Sequence, residues 1–229
     1  MIRKEKENLL LGIEEGVYID TKKSELYIYG AIGIGDGTYV NDIEAGISMI
    51  TGKEVYLHIS SPGGDAFEGI AIYNFLKQSG KTITVICEGL VASAASIIAM
   101  AGDKIEMEDD ARLMIHNAAS YGFGNAEFME KRAAALHSAN QAIKASYMGR
   151  FNGSENELTS FMAKETYFTA TEAIEWGFAD SIRQNNTGGW GSVFDNSSLR
   201  TADKKKAQAR MLFRFKNYID NLTNNLGGK

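Results

Sequence analysis

The chain has 229 residues, 44% of them hydrophobic, enough to bury one full core, so its length favours a single domain with appendages over two domains. A formal net charge of −5 supplies no global basic field, which removes nucleic acid from the expected partners. The lone cysteine, Cys87, has no intramolecular disulfide partner, which fits a reducing compartment. The apolar run at Leu9–Leu11 is too short for a signal peptide and the run over residues 90–101 too short to cross a bilayer, so a cytoplasmic protein with no membrane partner is expected.

Residues 1–24 are polar and weakly patterned and read as an N-terminal arm. From residue 25, Leu26 and Ile28 alternate with Tyr27 and Tyr29 in a first strand. A loop with Gly33, Gly35 and Gly37 leads to a helix carrying Ile43, Ala45, Ile47 and Ile50 and ending at Gly52. Residues 54–60 form a second strand, closed by Ser61-Pro62-Gly63-Gly64-Asp65, which holds the only proline of the chain and predicts a tight turn. Helix 67–78, strand 81–88 and helix 92–101 repeat the unit, and the alternation implies an α/β core.

Beyond Gly102, strands over 104–107 and 112–115 lead to His116-Asn117. Residues 120–125 form an exposed strand suited to pairing with an extended peptide. A long helix runs from 126 to about 151, with Phe128, Leu136, Ile143 and Tyr147 on one side; helices over 155–163 and 170–177 follow. The core therefore spans 25–182. Residues 183–203 are polar and glycine-rich, a linker, and 204–229 carry an amphipathic helix with the stripe Met211, Phe215, Tyr218 and Leu222. That stripe suits a partner or a sister subunit, and equally suits packing back on its own core.

Ser93 lies near a strand-to-helix junction, where free backbone N–H groups favour an oxygen that becomes negative. The flanking Ala92, Ala94, Ala95 and Ser96 also suit a helix packed closely on a sheet, so the stretch alone does not decide. A serine nucleophile needs a base, and the chain offers three histidines. His58 alternates with Val55, Leu57 and Ile59 and suits a structural role; His137 falls mid-helix among alanines. His116 follows the apolar run Leu113-Met114-Ile115 and emerges at a sheet edge, which makes it the best base. Ser96 is the rival nucleophile, one helical turn further on. No His-x-x-x-His or Cys-x-x-Cys spacing exists, so neither metal nor other cofactor is expected.

Ser61-Pro62-Gly63-Gly64, Gly89 through Ser93 to Gly102, Met114-Ile115-His116 and Glu172-Ala173-Ile174-Glu175-Trp176-Gly177-Phe178-Ala179-Asp180, in this order, resemble the Clp proteolytic subunit (ClpP) family of serine peptidases over about residues 25–182. The resemblance implies a spiral of ββα units, an architecture shared with the crotonases, and a long protruding handle helix. It makes Ser93 the nucleophile, His116 the general base and the N–H groups of Gly64 and Ala94 the oxyanion hole. Glu165 occupies the position of the family's usual Asp, with Asp180 as the alternative third member. The peptide substrate would lie between Asp65, Ala66 and Phe67 on one side and Ala118, Ala119, Ser120 and Tyr121 on the other. Asn117 and Ala118 depart from the family's Gln and Pro, and the N-terminal arm departs from its axial gate, which argues against an AAA+ unfoldase partner. Homo-oligomeric rings, stacked through the handle, are implied. Gly-Asp-Ala-Phe after Gly63, Val-Ala-Ser-Ala-Ala-Ser and Glu-Thr-Tyr-Phe are similar to the phage and prophage branch, associated with capsid (prohead) maturation, with capsid or portal proteins as partners and the bacterial cytoplasm or the prohead as location. An acyl-CoA hydratase or isomerase of the crotonase type, a catalytically inactive scaffold and an ATP-dependent Clp subunit are the alternatives.

Overall fold

The computed structural model describes residues 16–183. The arm over 1–15, most of the linker and the C-terminal helix over 204–229 lie outside the described residues. Alternating residues dictate the sheet: in β2 (Glu25–Ile32) Leu26 and Ile28 are buried, and in β3 (Glu54–Gly64) so are Val55, Leu57 and Ile59. They share one core with α1 (Val40–Met49), α2 (Ala66–Gln78) and α3 (Ala94–Ala99). Further strands are β4 (Thr82–Ala92), β5 (Lys104–Glu108) and β6 (Arg112–Ile115). Then come α4 (Ala126–Met148), α5 (Glu155–Ala163), β7 (Thr166–Thr169), α6 (Ala170–Glu175) and β8 (Ser181–Arg183). This is a mixed α/β fold, as the alternation predicts.

Residues 16–20 are not an arm. They form β1 (Gly16–Asp20), which pairs antiparallel with β2, so the sheet begins earlier than the polar composition suggests. The ladder runs β1-β2-β3-β4-β5-β8, and β2 through β5 and β8 are parallel. β4 changes partner along its length: residues 84–87 pair with β5 and Leu90, Val91 and Ala92 pair with β6. Gly89, with φ +67°, lies at that change. The divergence of β5 from β6 opens the sheet beside the C-terminal end of β4, the place where open α/β sheets take ligands.

The expected turn at 61–65 is instead the continuation of β3. Gly63 and Gly64 pair with Ala31 and Ile32 of β2, while Ser61 pairs with Val91 of β4. Their role is close approach rather than reversal: a Cβ on Gly63 would stand 2.6 Å from Ser93 Cβ and 2.9 Å from Ala94 N. The expected helix over 92–101 is shorter because β4 persists to Ala92. No strand forms over 120–125, since that stretch has no ladder partner among the described residues. α4 stops at Met148, not near 151, and buries Ala139, Ile143, Ser146 and Tyr147 only. Phe128 remains 40% exposed, because the first half of this 23-residue helix outruns the core.

Aromatic packing ties the last elements together. Phe151 stacks on Trp176 at 5.4 Å, Phe161 meets Phe168 edge-on at 5.3 Å, and Tyr147 meets Phe178 at 5.9 Å. This cluster fixes β7 and the residue before it. On the sheet face opposite Leu57, His58 is buried, stacks on Tyr27 at 4.4 Å and bonds Glu88 through Nδ1 at 2.8 Å. Tyr29 donates to the same carboxylate at 2.6 Å. Burial pushes the Glu88 carboxyl up, but the His58 and Tyr29 bonds outweigh it and hold its pKa below the usual range. His58 is thus structural, as its alternation implies.

Candidate active site

Ser93 stands between the last residue of β4 and the first of α3 with φ +56° and ψ −125°, a conformation sparsely populated by L-residues. Such backbone costs on the order of 1–3 kcal/mol and persists only where its surroundings over-determine it. Here they do: Ser93 N–H donates to Met114 O at 3.0 Å, and Ser93 O accepts from Ser96 N, Ile97 N and Ser96 Oγ. The glycine-flanked elbow of α/β-hydrolases is absent from the sequence, yet an equivalent strained strand-to-helix turn is present.

His116 follows β6, the strand that pairs with the end of β4, and its Nε2 lies 2.6 Å from Ser93 Oγ. The serine and the histidine that the sequence singles out are therefore in contact. Burial draws the His116 pKa below the ordinary imidazole value, and the Glu165 carboxylate partly offsets this. The lowered pKa favours the neutral imidazole, the form that can accept a hydroxyl proton.

Glu165 is brought to His116 by register. Ile115 pairs with Thr166 across β6 and β7, so the residues one step on, 116 and 165, are neighbours at the end of the ladder. Glu165 has φ +51°, in the left-handed position just past the α5 C-cap Lys164, where glycine is the usual occupant. Its carboxylate is exposed and acts on the ring through space; no hydrogen bond joins the two side chains among the described residues. Glu165 Oε1 accepts a long bond, 3.5 Å, from Tyr167 Oη. Asp180, the alternative, is committed elsewhere: it accepts from Ile105 N at 2.6 Å and pairs with Arg150 at 2.5 Å.

Gly64 and Ala94 are the expected oxyanion donors. Asp65 N–H bonds Ile32 O of β2, and the Gly64 backbone lies so close to that strand that an added Cβ would overlap Ile32 O. Ala94 N–H is among the first donors of α3, which the helix cannot satisfy internally. Gly69 comes so near Ala94 that an added Cβ would stand 3.0 Å from its Cβ, so the small residues also serve packing. Ser96 is fully buried and bonded to Ser93 O and Tyr147 Oη, which removes it as nucleophile.

Of the expected substrate-contact residues, Asp65 spends its carboxylate capping α2, accepting from Phe67 N and Glu68 N; Ala66 opens that helix, and Phe67 is exposed. Ala118 packs partly on the core; Ala119, Ser120 and Tyr121 are exposed. Three contacts escape sequence reasoning: Asn140 Oδ1 to Ala118 N, Arg132 to Ser120 Oγ, and Tyr167 to Glu165. Asn140 and Arg132 sit on a polar helix surface at no diagnostic spacing, whereas Tyr167 stands two residues from Glu165 and was open to inspection. Among the described residues no cluster of three or more His, Cys, Asp or Glu could hold a metal, and no helix is long and apolar enough to cross a membrane.

Comparison with known proteins converges on the same segments. The chain is 30% identical over 189 residues to an ATP-dependent Clp protease proteolytic subunit of Physcomitrium patens, covering 78% of this chain and 94% of the relative. It is 29% identical over 188 residues to that of Chara vulgaris, 78% and 85% covered, and 26% identical over 142 residues to that of Deinococcus radiodurans, 60% and 70% covered. The sequence model described as Clp protease matches residues 40–186, a span that holds every residue of the site just described. By that match, the chain belongs to the Clp protease family, a family of peptidases.

Proposed function

We propose that this peptidase is a serine endopeptidase with Ser93 as nucleophile, His116 as general base and Glu165 as third member. The carrying observation is the 2.6 Å contact between Ser93 Oγ and His116 Nε2 at the divergence of β5 and β6. His116 takes the hydroxyl proton as Ser93 Oγ attacks a peptide carbonyl, and the N–H groups of Gly64 and Ala94 hold the oxyanion. The protonated ring passes its proton to the leaving amine. Water, deprotonated by the same ring, then releases the acyl group and restores Ser93. Glu165 stabilises the imidazolium electrostatically. A crotonase-type activity on acyl-CoA has no use for a serine–histidine contact, and an inactive scaffold has no use for a strained serine.

The substrate lies between residues 65–67 and 118–121, and the exposed half of α4 acts as the handle through which homo-oligomeric rings stack. We assign the chain to the phage and prophage branch, cleaving capsid proteins during prohead maturation, on the motifs at Gly64-Asp65-Ala66-Phe67, Val91 to Ser96 and Glu165-Thr166-Tyr167-Phe168. The curated relatives are named ATP-dependent, so an unfoldase-coupled subunit is the competing role. Incubating a capsid-protein mixture with wild type and with Ser93→Ala, and reading products by mass spectrometry, tests this. Cleavage by wild type alone, without ATP or an unfoldase, is expected. Absence of cleavage unless an unfoldase and ATP are added would contradict the maturation role.

A further inference from the structure

The stretch that follows His116 lies outside the sheet ladder. It leaves β6 at Ile115 and belongs to no strand or helix until α4 begins at Ala126. Three contacts from the helical side restrain its first half. Asn117 N–H donates to Met162 O of α5 at 3.1 Å, Ala118 N–H donates to Asn140 Oδ1 of α4 at 2.7 Å, and Ser120 Oγ accepts from Arg132 Nε at 2.9 Å. The Arg132 contact is exposed, where solvent screening leaves little net strength. The Asn140 contact is partly buried and short. A cavity of about 290 Å3, lined by Asn117, Asn140, Lys144 and Met162 among others, lies beside the start of the stretch.

We propose that Asn140 is a positioning residue for substrate: by holding the Ala118 N–H toward α4, it sets the edge that residues 118–121 offer to a bound peptide. This rests on the peptidase function proposed above. In a segment that pairs as a strand, successive residues turn their N–H and C=O groups to opposite sides. With Ala118 facing α4, the main-chain groups of Ala119 and Tyr121 face the peptide, and those of Ser120 face away. Without Asn140, Ala118 N–H is unpaired, and between the Asn117 and Ser120 contacts nothing polar fixes which edge faces the cleft. Asn140 touches neither Ser93 nor His116 and leaves their chemistry alone.

The test uses the full chain and two probes, fluorescein-labelled casein as extended substrate and a small fluorophosphonate that reports the Ser93–His116 pair without strand pairing. Asn140→Ala is expected to raise KM for casein by about five- to tenfold, the equivalent of one hydrogen bond, with kcat little changed. Ser93 labelling should stay within about twofold of wild type on the same reasoning. Asn140→Asp, which keeps the acceptor, restores KM. In an Ala118→Pro background, where the donor no longer exists, adding Asn140→Ala produces no further rise. In parallel, amide exchange over residues 117–121, measured by mass spectrometry in the Ser93→Ala protein, accelerates when Asn140 is also replaced. Casein cleavage and Ser93 labelling falling together, additive effects in the proline background, or unchanged exchange each overturn the inference. Should wild type neither label nor cleave, the proposed function itself fails and the substrate role falls with it, while accelerated exchange would still locate the tether.

Discussion

Gly63 is the glycine pressed against the nucleophile itself, and Gly63→Ala turns that closeness into a number. Its φ is +90°, and an added Cβ would meet Ala92 O at 2.5 Å, Ser93 Cβ at 2.6 Å and Ala94 N at 2.9 Å. None of these is the far end of a flexible side chain. Left-handed backbone costs an alanine about 1–2 kcal/mol, and relief of the overlap adds about 1–3 kcal/mol, so stability should fall by about 2–5 kcal/mol. Ordinary contact begins at 3.4 Å, so Ser93 Cβ must retreat by about 0.8 Å, a displacement that lowers turnover by about 100-fold. Gly80→Ala is the control: its φ is +69°, yet nothing lies within 4 Å of the added Cβ, so it carries the backbone cost alone. Denaturant unfolding and the rate of fluorophosphonate labelling at Ser93 are measured on both variants. Gly63→Ala labelling at the wild-type rate, with a stability no lower than that of Gly80→Ala, would refute the proposed closeness of the 61–64 strand to the nucleophile.

Two further substitutions separate roles inside the site. Glu165→Gln removes the charge that raises the His116 pKa while the burial that lowers it remains, so the acidic limb of the kcat/KM profile should move to lower pH. Because Glu165 is exposed and makes no hydrogen bond to the ring, the loss at the optimum should be about tenfold; a shift to higher pH would contradict the assignment. Ser96→Ala strips a buried partner from Tyr147 Oη and should destabilise by about 1–3 kcal/mol in denaturant unfolding, with labelling still on Ser93. Loss of all labelling in a folded Ser96→Ala protein would reopen its claim as nucleophile.

Much of the core is legible from local pattern, and the parts that are not share a cause. Alternation at Leu26 and Ile28 and at Leu57 and Ile59 marks β2 and β3, and the apolar run before His116 marks β6 to the residue. α5 is equally plain, opened by Ser154 with Glu157 closing a capping box. Pro62-Gly63-Gly64 reads locally as a turn, but the crowding that demands glycine comes from β2 and from Ser93, residues distant in sequence. β7 and β8, of four and three residues, are too short to show a period and exist through pairing with β6 and β5. Exposed Phe128 fits the stripe of α4 on a helical wheel, but a wheel does not tell where the core ends. Within the site, His116 stands out by elimination because only three histidines compete, whereas Ser93 is marked only by its strand-to-helix junction. The choice between Glu165 and Asp180 needs register: Ile115 opposite Thr166 makes residues 116 and 165 neighbours, while Asp180 is bonded to Ile105 N and Arg150.

The most direct measurement is intact-mass analysis of the full chain after fluorophosphonate treatment, with the adduct mapped by peptide sequencing. A single adduct on Ser93, lost in Ser93→Ala and slowed by at least about 1,000-fold in a folded His116→Ala protein, is the predicted result. An unlabelled Ser93, or one that labels equally fast without the His116 imidazole, would contradict the account.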